Sequence, residues 1–405
     1  MKDRECTDFV VTYNGVKIFI EVKPTNPEER IKRYIQYFTW TYYREYEIMH
    51  GSSKVAAIAK NGICKVYLPE LMPYNLHLEE GAEEDVDIRV QNLENFYYWC
   101  ASRVLTLDRE YAKEILNSIG VTQAVTDKER AEVALSYHCL SLMDIYWTKR
   151  ADERLDFSDI NLYENHFGNA FIDVSLRGKQ MTIENAHLVA DTLGTKGCFP
   201  KAWIRDDNYF FLLKAGEQEA VNNELLASRI CRCFKVNQVL YEEGVFDNQK
   251  VSCSKIITSL EYSIVPMEYV AIYLQNHGMS VKEYILQLDS YNYYMMNIVD
   301  YLVGNTDRHW SNWGVLVDNR TNAPVRLYDL MDFNKAFGSY DTIEGANCLT
   351  SKFLEGKMQT QRDAAIEAVN KIGLNQIEKV RDGWFKDNSI GTMFFERLKV
   401  LQGLQ

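Results

Sequence analysis

Residues 297–318, NIVDYLVGNTDRHWSNWGVLVD, constrain the fold of this chain more than any other segment. Met295, Val299 and Leu302 share one face of a predicted helix. The helix is expected to end near Gly304, because glycine readily adopts the left-handed conformation that follows helix ends. A polar loop comes next, and the apolar run GVLV after it predicts a strand. The segment therefore predicts a helix, a polar loop and a strand in direct succession.

The polar loop carries residue types that phosphoryl transfer uses. Asp307 lies in the loop, and Asn312 follows it by five positions. Asp329 and Asp332 lie beyond the strand, in LYDLMDFN. Transfer of a phosphoryl group requires a carboxylate that accepts the proton of the attacking hydroxyl, together with oxygen ligands for Mg²⁺. Protein kinases place the catalytic-loop Asn five positions after the catalytic Asp, so we favour a nucleotide-kinase loop over a structural one.

A glycine-containing segment upstream, DTLGTKGCFPK, is the candidate phosphate-binding loop. Gly194 and Gly197 flank Thr195 and Lys196, and glycine lets backbone N–H groups approach phosphate oxygens closely. The segment matches neither GxGxxG nor a Walker A sequence, so an ordinary hairpin turn is the alternative. We assign these four residues to ATP binding because a strand lysine and a helix glutamate come after them in the chain.

Lys214 ends the apolar strand NYFFLLK, where a buried ammonium group needs an anionic partner. A phosphate and a helix glutamate would supply one; a lysine that extends to water is the alternative. The next helix offers Glu219 and Glu224, of which Glu224 has apolar neighbours at helical spacing. Met267 and Glu268 follow an apolar run and are candidates for an adenine-contacting hinge, although a plain sheet edge explains them equally well.

The segments GNTDRHWSN and LYDLMDFN, with a strand between them, resemble the catalytic core of HipA-like serine/threonine kinases. The helix NNELLASRI and the loop GTKGCFPK are similar to the nucleotide-binding half of that family, so the resemblance covers roughly residues 165–350. It implies that Asp307 is the catalytic base, that Asn312 is a metal ligand and that Lys214 binds phosphate. ATP and Mg²⁺ are the implied cofactors.

The second metal ligand stays open between two aspartates. The Tyr-Asp pair of the family matches Asp329, whereas a comparison with the DFG motif of protein kinases matches Asp332, which precedes a phenylalanine. We favour Asp332. For His309 we expect a structural role, because Asp307 suffices as the base. The loop and the first 90 residues depart from the family, so its toxin biology is not transferred.

The predicted architecture is an α+β, two-lobed protein-kinase-like fold of the HipA type, with an accessory α/β and helical region at the N-terminus. Asn-Gly pairs within alternating runs predict hairpins, and Thr126 with Glu129 predicts a capping box. The acidic run EEGAEEDVD suggests a boundary. The regions are 1–90, an accessory α/β domain of unknown role; 91–164, helical support; 165–275, resembling a kinase N-lobe; and 276–405, resembling a catalytic C-lobe.

Composition restricts the partners. The net charge of −12 repels phosphate backbones, so we do not expect nucleic-acid binding. The sequence has no apolar stretch of membrane-spanning length and no secretion signal, and its nine cysteines are scattered, so we expect a cytoplasmic protein with reduced thiols. A protein substrate and self-phosphorylation are both compatible with the motifs. A pseudokinase, a nucleotide-gated interaction module, and a small-molecule or lipid kinase are the alternatives.

Overall fold

The computed structural model describes most of the chain, and of its first two ranges only the backbone. The described residues are 7–13, 16–21, 45–81, 84–104, 126–165, 201–206, 209–246, 248–338, 340–351 and 358–404. Strands β1 (Thr7–Tyr13) and β2 (Val16–Glu21) pair antiparallel with Tyr13 opposite Val16. This pairing confirms the first predicted hairpin.

An N-terminal unit is built from one antiparallel sheet in the order β5-β4-β3-β6, with helices packed against it. Its elements are β3 (Glu45–His50), β4 (Ser53–Ala59), β5 (Cys64–Val66), α1 (Val86–Ala101), α2 (Asp127–Ser136), β6 (Tyr146–Arg150) and α3 (Phe157–Ile160), with a 3-10 turn at Pro69–Leu71. Trp99 and Trp147 are fully buried in its core. The predicted capping box at Thr126 is present.

Strand β6 shows that the first two predicted regions are not separate. Residues Tyr46 to His50 of β3 pair with Tyr146 to Arg150 of β6. The division at about residue 90 was therefore wrong, because this strand from the predicted helical support completes the sheet of the predicted accessory domain.

A second antiparallel sheet, ordered β7-β8-β10-β9, forms the smaller kinase-like lobe, which we call the N-lobe. Its elements are β7 (Lys201–Asp206), β8 (Tyr209–Lys214), α4 (Gln218–Cys231), β9 (Tyr241–Phe246) and β10 (Gln249–Lys255). Helix α4 packs against β9 and β10. Ser252 of β10 lies opposite Lys214 of β8 in the sheet register, so the strand-end lysine lies on the central pair of strands.

A three-stranded sheet and the long helices form the larger lobe, which we call the C-lobe. Its elements are β11 (Tyr262–Pro266), α5 (Met267–Asn276), α6 (Val281–Val303), β12 (Gly314–Asp318), β13 (Ala323–Leu327), α7 (Gln361–Ile372) and α8 (Asn388–Gln402), with 3-10 turns at Leu349–Ser351 and Asp382–Trp384. Helix α6 ends at Gly304, which has φ 60° and ψ 40°, as predicted. None of the helices in the described ranges is both long and apolar enough to cross a membrane.

The connection between the two lobes runs through residues 256–261. Strand β10 ends in the N-lobe sheet at Lys255, and β11 begins in the C-lobe sheet at Tyr262. Placing the hinge at Met267 and Glu268 was wrong, because Pro266 already pairs with Gly314 in the C-lobe and Met267 starts α5. The alternative of a sheet edge describes Val265 and Pro266, which belong to the outer strand β11, whereas Met267 and Glu268 are helical.

Candidate active site

The end of helix α6 is tied to the loop that follows it by Asn305, which is 1% exposed. The Asn305 side chain donates to Asp300 Oδ1 at 3.2 Å and to the carbonyl of Asp332 at 3.3 Å. Its Oδ1 accepts the N–H of Asp307 at 3.2 Å. One buried amide thus fixes the positions of both candidate catalytic segments relative to the helix.

Arg308 makes a second set of links from the same loop. Its guanidinium donates to the Asp300 carboxylate at 2.8 and 3.0 Å, to the Asn312 carbonyl at 3.1 Å, and to the Met331 carbonyl. Burial acts to lower the pKa of Arg308, but the Asp300 charge outweighs it and the net shift is upward. Sequence reasoning assigned neither residue, although Asp300 is the one acidic residue in the buried run MMNIVDYLV and needed a partner.

Lys214 lies at the centre of a buried ionic cluster. Its Nζ is 2.7 Å from Glu224 Oε1 and 2.7 Å from Asp332 Oδ1, and 3.4 Å from the Tyr241 hydroxyl. The side chain of Glu224 is 1% exposed, and the Ser252 hydroxyl donates to its second oxygen. The structure therefore brings together three residues that the sequence predicted from distant segments.

Charge pairing outweighs burial in this cluster. Burial acts to lower the pKa of Lys214, but the Asp332 and Glu224 charges hold it well above its usual value. Burial acts to raise the pKa of Asp332, and the Lys214 and Lys201 charges hold it well below its usual range. Both groups are therefore ionised at neutral pH, as metal and phosphate binding require.

The backbone turn at Asp332 is unusual for a residue other than glycine. Asp332 has φ 65°, and its N–H donates to the Tyr241 hydroxyl at 3.1 Å. The next residue, Phe333, is fully buried in the C-lobe core and anchors the turn. Such conformations are unfavourable and recur at functional sites that the surrounding structure holds in place.

Asp329, the alternative metal ligand, points elsewhere. Its carboxylate pairs with Arg326 at 2.7 Å. It does not line the cleft that contains Lys214 and Asp332. The geometry favours Asp332 over Asp329 as the ligand, in line with the choice made from the sequence.

Asp307 and Asn312 are held close together within their loop. The Asn312 side chain donates to the carbonyl of Asp307 at 2.6 Å, so its amide oxygen is left without a donor among the described residues. The Asp307 carboxylate is 3.0 Å from Lys335 Nζ and 4.0 Å from His309 Nε2. Asn312 and Asp332 together offer the hard oxygen ligands that suit Mg²⁺, which commonly takes only one or two carboxylates from a protein.

A cleft of about 430 Å³ lies beside these groups, which is within the usual size range of small-molecule sites. Asp307 is not among its lining residues, although its loop neighbours His309 and Asn312 are. Lys214, Asn312 and Asp332 line it, and so does Glu268, which accepts a hydrogen bond from Ser311 Oγ at 2.6 Å. Met267 does not line it: its side chain is fully buried in the core, and its N–H donates to the Trp313 carbonyl at 2.8 Å.

The predicted phosphate-binding residues Gly194, Thr195, Lys196 and Gly197 lie outside the described residues. Lys201, the last residue of the segment DTLGTKGCFPK, is opposite Lys214 in the register of β7 and β8 and lines the cleft. It was not among the residues assigned to ATP binding, although its place in the glycine segment was a usable signal. The loop assignment stays a prediction.

Neither family models nor curated proteins give a match to this sequence. Among solved structures, it is similar to HipA in the complex of HipA, HipB and operator DNA of the Shewanella oneidensis MR-1 toxin–antitoxin system. The identity is 11% and the TM-score 0.50, over 88% of this chain and 97% of that chain. The chain has a HipA-like kinase fold.

The HipA-like fold confirms the predicted α+β, two-lobed architecture. A second similar structure is the proinflammatory kinase CtkA of Helicobacter pylori, at 16% identity and a TM-score of 0.37, over 50% of this chain and 92% of that chain. At 11% identity the similarity to HipA describes the fold alone, and the chemistry has to be argued from the site itself.

Proposed function

We propose that this protein is an ATP- and Mg²⁺-dependent phosphotransferase, of the HipA-like serine/threonine protein kinase type. The observation that carries the proposal is that Lys214, Asn312 and Asp332 line one cleft, where Lys214 pairs with both Asp332 and the buried Glu224. A lysine paired with a helix glutamate beside a metal-binding aspartate is the arrangement that protein kinases need for phosphoryl transfer. A purely structural ion pair would not require a cleft of ligand size beside it.

Each residue has a definite task in this proposal. Glu224 orients the Lys214 ammonium group toward the α- and β-phosphates, and Asn312 and Asp332 hold Mg²⁺. When bound, Mg²⁺ neutralises charge on the phosphate oxygens. Asp307 orients the acceptor hydroxyl and takes its proton. Arg308 touches no substrate and positions the segments that carry Asn312 and Asp332.

The interlobe segment is suited to the base of the nucleotide. Ile257 and Thr258 line the cleft. Neither of their backbone N–H groups donates a hydrogen bond within the part of the chain that the structure describes. Adenine presents acceptors along its edge, so it would pair with such donors, and the hinge contact moves from Met267 and Glu268 to this segment.

Transfer of labelled phosphate from ATP tests the proposal. Replacing Asp307 by Asn keeps the size of the side chain and removes the base, so transfer should fall by about 10²–10⁴-fold while ATP still binds. Asp332→Asn should lose the dependence of ATP binding on Mg²⁺. Asp329→Asn is the matched control, because Asp329 lies outside the cleft, and it should retain both properties.

The assay also separates the alternatives. Incubation with ATP alone, followed by intact mass measurement, detects self-phosphorylation. Transfer to added protein or to small hydroxyl compounds distinguishes the acceptor classes. Binding of ATP with no transfer by the wild-type protein would leave a nucleotide-gated module, and undiminished transfer by Asp307→Asn would end the assignment of the base.

A further inference from the structure

The nucleotide cleft has a wall that belongs to neither kinase lobe. Tyr98 near the C-terminal end of α1 and Val104 just beyond it line the cleft, together with Leu142 and Met143 from the loop between α2 and β6. These residues belong to the N-terminal unit. Leu142 is hydrogen-bonded to Thr258 of the interlobe segment, so its loop lies on the side of the cleft where the proposed function places the base of the nucleotide.

The loop that carries Met143 is hydrogen-bonded both to the interlobe connection and to strand β11 of the C-lobe. The Leu142 carbonyl accepts the Thr258 hydroxyl at 2.5 Å, and the Met143 carbonyl accepts the N–H of Ile264 at 3.0 Å. The Met143 N–H donates in turn to Ser141 Oγ at 3.1 Å. The backbone of Met143 is thus fixed through both its N–H and its C=O.

Met143, by contrast, is only partly buried and lines the cleft. A thioether side chain adapts its shape to flat rings and makes favourable contacts with aromatic groups. The neighbouring Leu142 is 4% exposed and cannot take this role, since it is packed in the core of the N-terminal unit. Met143 is therefore the residue of this loop that is placed to meet a ligand.

We propose that Met143 contacts the base of the bound nucleotide, so that the N-terminal unit supplies part of the base-binding surface. The inference rests on the proposed function in that it takes a nucleotide as the ligand. It gives the N-terminal unit a role that neither the catalytic motifs nor the fold assign. It also predicts that the contribution of Met143 to binding affinity depends on the base of the ligand and not on its phosphates.

Isothermal titration calorimetry with two probes tests this. ATP with Mg²⁺ carries the base, and inorganic tripolyphosphate with Mg²⁺ carries only the phosphates. Met143→Ala removes the methylene and thioether contacts and should raise the Kd for ATP about tenfold, with no change in the Kd for tripolyphosphate. Met143→Leu conserves the volume and should restore most of the affinity for ATP.

The controls separate this inference from the proposed function. Met279→Ala changes an exposed methionine of the C-lobe and should leave both Kd values unchanged. Equal ATP affinity of wild type and Met143→Ala would overturn the inference and leave the proposed function intact. Parallel weakening of both probes would also overturn it, because that outcome indicates a structural role. If the wild-type protein binds tripolyphosphate and ATP with equal affinity, the base contact is refuted. If it binds neither probe, both the base contact and the proposed function are refuted.

Discussion

Replacing Lys214 by methionine is expected to destabilise the N-lobe through the carboxylates that it leaves behind. The Lys214 ammonium group lies 2.7 Å from both Glu224 and Asp332, whose side chains are 1% and 19% exposed. Methionine has similar volume, so packing changes little and the loss is electrostatic. Removing one partner of a buried ion pair costs about 3–5 kcal/mol, and this figure applies because Glu224 has almost no contact with water.

An exposed ion pair of the same length provides the control. Lys54 Nζ is 2.7 Å from Glu47 Oε1, but the two side chains are 33% and 15% exposed. Pairs open to solvent contribute about 0–1 kcal/mol. Lys54→Met should therefore leave the free energy of unfolding within about 1 kcal/mol of wild type, which isolates burial as the cause of the larger loss.

A second substitution tests the cause directly. Adding Glu224→Gln to Lys214→Met removes the isolated buried charge, while the amide oxygen still accepts the Ser252 hydroxyl. The double variant should recover more than half of the lost stability, because the buried carboxylate is gone. Phosphate transfer should stay far below that of wild type, since the proposed phosphate-binding ammonium group of Lys214 is missing from both variants.

Urea unfolding at neutral pH, followed by tryptophan fluorescence, measures these free energies. At about 2.1 cal/mol/K per residue over 405 residues, a loss of about 3–5 kcal/mol also lowers the melting temperature by about 4–6 °C. If Lys214→Met and Lys54→Met are equally stable, or if Glu224→Gln adds no recovery, then Glu224 is not a desolvated partner of Lys214 and the reasoning is refuted.

Two further predictions concern other buried charges. Burial, opposed by Asp144, lowers the pKa of His50 to about 4. As the pH falls below about 6.5, the histidine therefore takes up its proton in the unfolded state before it does so in the folded state. The free energy of unfolding should for this reason drop by about 2 kcal/mol between pH 8 and pH 5. Urea unfolding across this range checks it, and a pH slope unchanged in His50→Gln would contradict it. Arg308→Lys should lower the free energy of unfolding by about 3 kcal/mol and reduce phosphate transfer, because one ammonium group cannot bond to the Asp300 carboxylate and to two carbonyls together. An unchanged free energy of unfolding in urea would rule this out.

The conformation of the candidate catalytic loop could be predicted from the sequence because its geometry is local. The helix end at Gly304 and the hydrogen bond from Asn312 to Asp307 both involve residues within a short stretch. The pairing of Lys214 with Glu224 was also accessible, since a buried lysine needs an anion and the next helix offers one. In each case a single physical requirement, a helix end or an anion for a buried ammonium group, could be met by only a few nearby residues.

The hinge could not be placed in this way. An apolar run such as SIVP predicts a strand but does not show which sheet the strand joins, and β11 joins the C-lobe sheet. The wall of the cleft that the N-terminal unit forms could not be predicted from the sequence either, because the hydrogen bond from Thr258 to Leu142 connects residues 116 positions apart. Local patterns carry no information on such contacts, whose partners are fixed only by the complete fold.

The two aspartates of LYDLMDFN show where family likeness and geometry diverge. The family pattern pointed to Asp329, yet the left-handed turn at Asp332 directs that carboxylate to Lys214, whereas Asp329 meets Arg326 on its own strand hairpin. Phe333 and the Arg308 guanidinium, 5.4 Å from its ring centre, hold the turn from the C-lobe side. The proposed metal ligand is therefore selected by a backbone conformation, and Arg308 connects that conformation to the loop of Asn312. A change at Asp300, which is bonded to Arg308, should for this reason disturb both proposed metal ligands together.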